Sequence, residues 1–159
     1  YSVCGGEVGA QAKWNNGLGA RITYAYTKEQ LAKDKDGNSI NNQYIPAREH
    51  ALNVRMDYDR QISSNYGLNI GLQGRVLSGV ENVEYKDYYD VSKGTISVEY
   101  PAYTLWKLSL VQRIGKAVKV NAALDNLFGY KPKFYYLNSP ITDGVTFQVG
   151  VSIDIDKFF

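Results

Sequence analysis

Apolar and polar residues alternate one for one along most of this chain, the period of a β-strand with one face in apolar surroundings. Val8, Ala10, Ala12 and Trp14 oppose Glu7, Gly9, Gln11 and Lys13, which predicts a strand from about residue 4 to 14. Asn15, Asn16 and Gly17 then predict a tight turn, because Asn and Gly tolerate positive φ. A second strand to about Thr27 sets Leu18, Ala20, Ile22, Tyr24 and Tyr26 against Gly19, Arg21, Thr23 and Ala25. A third carries Leu52, Val54, Met56 and Tyr58 against Asn53, Arg55 and Asp57, and a turn at 61–65 leads to a fourth with Tyr66, Leu68, Ile70 and Leu72 against Gly67, Asn69, Gly71, Gln73 and Arg75. The fifth places Trp106, Leu108 and Leu110 opposite Lys107, Ser109 and Val111 and ends at Arg113; Gly115 to Ala117 turn the chain. The sixth places Val118, Val120, Ala122 and Leu124 opposite Lys119, Asn121, Ala123 and Asp125. The last runs through Val145, Phe147, Val149, Val151, Ile153 and Ile155, opposite Thr146, Gln148, Gly150, Ser152 and Asp154.

The connections between these strands alternate short and long, with polar stretches at 28–49, about 80–102 and about 128–144 read as loops. That alternation is what an up-and-down barrel with small turns on one side and large loops on the other requires. The strands are also longer than the five or six residues usual in globular sheets and match the 9–11 of a tilted membrane strand. The fold class expected is therefore all-β, with about seven antiparallel strands of a transmembrane β-barrel. A Lys or Arg on the lipid face costs about 2–4 kcal/mol at midplane, so the face bearing Lys13, Arg21, Arg55, Lys107 and Lys119 is assigned to the lumen. Aromatic residues then gather at the strand ends, Trp14, Tyr58, Tyr66, Phe158 and Phe159 at one rim and Tyr24, Tyr26, Tyr103 and Trp106 toward the other, as interfacial belts do. The competing architecture is a soluble β-sandwich. Bacterial barrels close with an even number of strands, and an open edge in hydrocarbon leaves backbone groups unsatisfied. An odd count thus points to residues 1–159 as part of a larger barrel.

Composition narrows the picture further. A hydrophobic fraction of 44%, a mean hydropathy of −0.36 and the lack of any apolar run near 18 residues exclude a helical membrane span. A net charge of +2, without a basic run interleaved with stacking aromatics, argues against nucleic acid. The lone Cys4 permits no internal disulfide and is expected to be a small buried residue. Tyr1 is not followed by a charged and apolar leader, so either a leader has been removed or the chain begins mid-protein.

The C-terminal segment carries a family resemblance, in Asp125-Asn126-Leu127-Phe128, Tyr130, Tyr135-Tyr136, Ser139-Pro140, Gly144 and Phe147-Gln148-Val149-Gly150. It resembles the closing two strands of TonB-dependent transporters, most closely those of Bacteroidetes-type bacteria. The final strand is also similar to the signal read by the barrel-assembly machinery, through Gln148, Gly150, Ile153, Ile155 and the terminal Phe159. The resemblance implies a bacterial outer-membrane barrel of 22 strands, with lipid outside it, a plug inside it that this chain does not include, and contact with the TonB complex through that plug. It admits a surface lipoprotein over the mouth.

Candidate chemistry is sparse. Catalysis needs convergent groups, and a single His50 without a nucleophile partner does not supply them; no enzyme activity and no cofactor is expected. His50 is a weak haem or metal candidate. The pairs Arg55 with Asp57 and Lys119 with Asp125 are read as lumenal charges that neutralise one another or the plug. Tyr85, Tyr88 and Tyr89 in one loop and Tyr135 and Tyr136 in another are ligand-binding candidates, because tyrosine combines a large flat face with a hydrogen-bonding tip. Glu81, Glu84, Asp87 and Asp90 outweigh Lys86 and Lys93 in the first of these loops, which disfavours a polyanion there. The expected function is TonB-energised import of a scarce bulky ligand such as haem, a cobalamin or a ferric siderophore; the alternative is a passive channel or an adhesion barrel without a plug.

Overall fold

The structure is a computed structural model that describes residues 2–30, 47–87, 89–132 and 142–157. Among the described residues there are nine strands: β1 Ser2–Lys13, β2 Leu18–Gln30, β3 His50–Ser63, β4 Tyr66–Leu77, β5 Val80–Tyr85, β6 Thr95–Tyr100, β7 Tyr103–Ile114, β8 Val118–Asp125 and β9 Thr146–Ile153. Seven form one sheet in the order β1-β2-β3-β4-β7-β8-β9, and β5 pairs with β6 apart from it. The sheet follows chain order because each strand is joined to its neighbour by a turn or by an excursion that returns beside it. The short connections fall at Trp14 to Gly17 and Gly115 to Ala117, where predicted, and at Ser64 and Asn65, the end of the predicted 61–65 turn, whose first three residues continue β3.

The ladder through β7, β8 and β9 shows how alternation becomes two chemically distinct faces. Leu108 pairs with Leu124 and Leu124 with Phe147; Leu110 with Ala122 and Ala122 with Val149; Ile114 with Val118 and Val118 with Ile153. The intervening rows join Ser109, Ala123 and Gln148, then Arg113, Lys119 and Ser152. A one-residue slip would invert every one of these side chains, so the pattern specifies the register strongly. Gln112 is the exception on the apolar face, opposite Val120, and its amide accepts from the Tyr66 hydroxyl at 3.2 Å. The apolar face is left uncovered: Phe147, Val149, Val151 and Ile153 are each more than half exposed. The buried apolar residues among those described are only Leu77, Tyr100 and Ala117. A sheet that leaves so much contiguous apolar surface open expects another apolar phase against it.

Backbone contacts group the chain into two units. One comprises Tyr1–Val8, Tyr24–Leu52 and Val76–Tyr103, the other Gly9–Thr23, Asn53–Arg75 and Thr104–Phe159. The first holds the β5–β6 hairpin and its base; the second holds the short turns and the β7–β9 ladder.

Several expectations are corrected. The stretch 80–102, read as a loop, contains the β5–β6 hairpin with a 3-10 turn at Val91–Lys93. Its alternation is carried by Glu and Asn as much as by Val, so hydrophobic contrast conceals it. Cys4 is exposed, because β1 ends the sheet order and no described residue covers either of its faces. β9 stops at Ile153, and Ile155 lies in a 3-10 turn, Ile155–Lys157, instead of continuing the strand. Asp125 pairs with Lys107 at 3.2 Å and not with Lys119. Six residues along a strand span about 20 Å, so ion pairs form across the ladder and not along it.

Candidate functional site

On the polar face, Asp59 of β3 collects partners from two further strands. Arg113 of β7 donates to it through Nη2 at 2.8 Å and Asn69 of β4 through Nδ2 at 3.0 Å. Arg113 must cross β4 to reach it, and Gly67 makes the path: a Cβ there would stand 2.7 Å from the Arg113 Nε. Arg113 also lies opposite Lys119 in the ladder, a like-charge pairing that its turn toward Asp59 relieves. Lys107 and Asp125 form a second cross-strand pair. The pair borders a pocket of about 620 Å³ that is also lined by Asn53, Gln73, Arg75, Leu105 and Trp106. Another of about 430 Å³ is bordered by Lys13, Arg21, Arg55 and Asp57. The expected lumenal cations therefore do share the face opposite the exposed apolar one.

The β5–β6 hairpin is the most elaborate described feature outside the main sheet. Its six-rung ladder runs from Val80 opposite Tyr100 to Tyr85 opposite Thr95. An isolated two-stranded ribbon is marginal in water, and this one is supported at its base. Tyr100 is 2% exposed, and its hydroxyl donates to the Glu84 carboxylate. The Ser78 amide donates to the His50 carbonyl at 2.9 Å, and the Ser78 hydroxyl accepts from the His50 amide at 3.1 Å. At the far end, Lys93 donates to Asp87 at 2.6 Å, and Asp87 also accepts from the Tyr89 amide at 2.9 Å. The Lys93 ammonium first, and the Tyr89 and Asp90 amides after it, hold the Asp87 carboxyl below its ordinary value. Of the tyrosine candidates, Tyr85 closes β5 and Tyr89 is fully exposed beside the Asp87 clip. Tyr88, Tyr135 and Tyr136 lie outside the described residues.

His50 opens β3 against two aromatic rings. Its Nδ1 is 2.7 Å from the Tyr24 hydroxyl, and its ring lies against those of Tyr24 and Tyr26. Among the described residues no group of three or more His, Cys, Asp or Glu is placed to hold a metal ion.

Near the C-terminus, Asn126 takes a left-handed conformation with φ 53° and is buried. Its Nδ2 donates to the Tyr130 carbonyl at 2.7 Å and to the Thr142 hydroxyl at 2.9 Å, while its Oδ1 accepts from the Tyr130 amide at 2.9 Å. One side chain thus ties the beginning of the 126–144 connection to its end. In the last strand, Gln148 faces Ala123, Gly150 faces Asn121 and Ile153 faces Val118. Phe159 lies outside the described residues. Sequence reading missed Arg48, which is not part of any periodic pattern, and gave Asn126 no role beyond its place in a motif.

Residues 4–127 match a family model described as TonB dependent receptor-like, beta-barrel. No curated protein matches the chain.

Proposed function

Because this chain belongs to the TonB-dependent receptor β-barrel family, a family of outer-membrane transporters and not of enzymes, we propose that it forms part of an active importer for a scarce ligand too bulky for porins. Haem, a cobalamin and a ferric siderophore are the candidate cargoes. The observation that carries this reading beyond family membership is the division of the main sheet into two faces. One exposes Phe147, Val149, Val151 and Ile153 in a continuous apolar field, and the other holds Arg113 with Asp59 and Lys107 with Asp125. The apolar field meets lipid and the charged face meets the lumen, since the reverse would cost about 2–4 kcal/mol for each cation placed at midplane.

The two sheet edges, β1 and β9 among the described residues, pair with further strands of a barrel of 22, which encloses a plug and engages TonB through it. Open edges in hydrocarbon would otherwise leave several kcal/mol per backbone group unsatisfied. Tyr85, Tyr88, Tyr89, Tyr135 and Tyr136 contact the ligand from the outer side. Gln148, Gly150, Ile153, Ile155 and Phe159 serve recognition by the barrel-assembly machinery.

The test is uptake by cells carrying the full-length protein as their sole high-affinity route, with haem, cobalamin and a ferric siderophore each supplied at limiting concentration. Uptake of one of them should require both the protein and TonB. Accumulation that continues unchanged in a TonB-deficient strain would overturn active import.

A further inference from the structure

We propose that Arg48 is a positioning residue that fixes the direction in which the β5–β6 hairpin leaves the sheet. One guanidinium joins three places. Its Nη1 donates to the Ser78 carbonyl at 2.5 Å and to the Pro101 carbonyl at 2.8 Å. Its planar head lies over the Tyr103 ring, 4.6 Å from the centroid. Ser78 immediately precedes the hairpin's entering leg and Pro101 immediately follows its returning leg. Arg48 therefore bridges both legs at their roots and stacks on the first residue of β7, while its own backbone leads into β3.

The chemistry of the hinge explains why such a clasp is needed. Each leg joins the main sheet through a short link outside the strands, Ser78 and Gly79 on one side and Pro101 and Ala102 on the other. Proline has no amide hydrogen to donate at its position, and the last hairpin rung is Val80 with Tyr100. Carbonyls at the two roots find a common donor in Arg48. A guanidinium suits the position because it offers several donors in a plane and a flat face for an aromatic ring, which a lysine ammonium does not. Among the described residues the buried Arg48 Nε has no hydrogen-bond partner, so the side chain is held there by its other contacts despite that cost. With both roots held, the hairpin projects as one body, and Tyr85 and Tyr89 are carried at a set angle. This last step rests on the ligand-binding role proposed above for those tyrosines; the clasp itself does not.

The experiment uses the full-length protein in its own outer membrane, spin-labelled at the native Cys4 and at Ser92→Cys on the hairpin, with any other reactive cysteine replaced. The distance distribution is measured without ligand, so its outcome is separate from the fate of the uptake reading. Arg48→Ala should broaden the distribution at least about twofold at unchanged amounts of heat-modifiable barrel, and Arg48→Lys should broaden it as well. Tyr103→Leu, which spares both carbonyl bonds, should broaden it less and serves as the decisive variant if Arg48→Ala does not assemble. An unchanged width in Arg48→Ala, or in Tyr103→Leu when that is the only variant recovered, would overturn the proposal.

Discussion

Replacing Asn126 isolates the contribution of a single closing residue. Alanine there removes three hydrogen bonds, to the Tyr130 carbonyl, the Tyr130 amide and the Thr142 hydroxyl. Each contributes about 0.5–1.5 kcal/mol net. Alanine must also hold the left-handed φ of 53°, which costs an ordinary residue about 1–2 kcal/mol more than it costs Asn or Gly. The connection should therefore open more easily by about 2.5–6.5 kcal/mol, which corresponds to about fiftyfold or more in the open population. Glycine loses the same bonds without the backbone penalty and should fall about tenfold short of alanine. Aspartate keeps an acceptor for the Tyr130 amide but sets a carboxylate against the Tyr130 carbonyl, and should lie between the parent and alanine. Tryptic cleavage after Lys133, the Lys131–Pro132 bond being resistant to trypsin, followed in the full-length protein in outer-membrane vesicles at low protease, reads the open population directly. A rate for Asn126→Ala within about threefold of the parent would refute the clamp. Equal rates for Ala and Gly would refute the backbone part of the argument.

Three further outcomes are expected. Gly150→Leu should sharply reduce heat-modifiable barrel in the outer membrane, because a Cβ at that position already stands 2.9 Å from the Asn121 amide directly across the ladder; normal yield would show that this face has room. Tyr85→Ala combined with Tyr89→Ala should leave barrel quantity unchanged and weaken ligand capture about tenfold or more, as loss of aromatic anchors does, measured as ligand bound per barrel; unaltered capture would assign these rings to loop packing. The Asp87 clip should be insensitive to pH from about pH 8 to about pH 5 and loosen below about pH 4. A carboxylate held below its ordinary value contributes above the unfolded value and loses that contribution as pH falls through the folded one. Hydrogen exchange of the 86–94 peptide, corrected for intrinsic rate, should show this loss of protection, and Lys93→Met should show it already at neutral pH.

The one-for-one alternation was enough to assign seven strands, their order and their two faces, because period two and a one-sided environment leave a single register compatible with burying or solvating each side chain. It was enough for the turns at Asn15 to Gly17 and Gly115 to Ala117, where local backbone chemistry decides the structure. The C-terminal motif pointed to the family from local sequence alone. Interactions that depend on which strands become neighbours were not accessible in this way. Arg113 finds Asp59 two strands away over the bare backbone of Gly67, and Lys107, not Lys119, neutralises Asp125, because partners are chosen across a ladder that brings distant residues within about 5 Å. Arg48 lies outside every periodic segment, yet it meets carbonyls 30 and 53 residues further along. The β5–β6 ribbon was hidden for a related reason: half of β5 is acidic or amide, and the ribbon pairs only with itself among the described residues. Local sequence specifies conformation where the environment repeats with the backbone period, whereas the contacts that tie one excursion to another arise only when the fold brings their ends together.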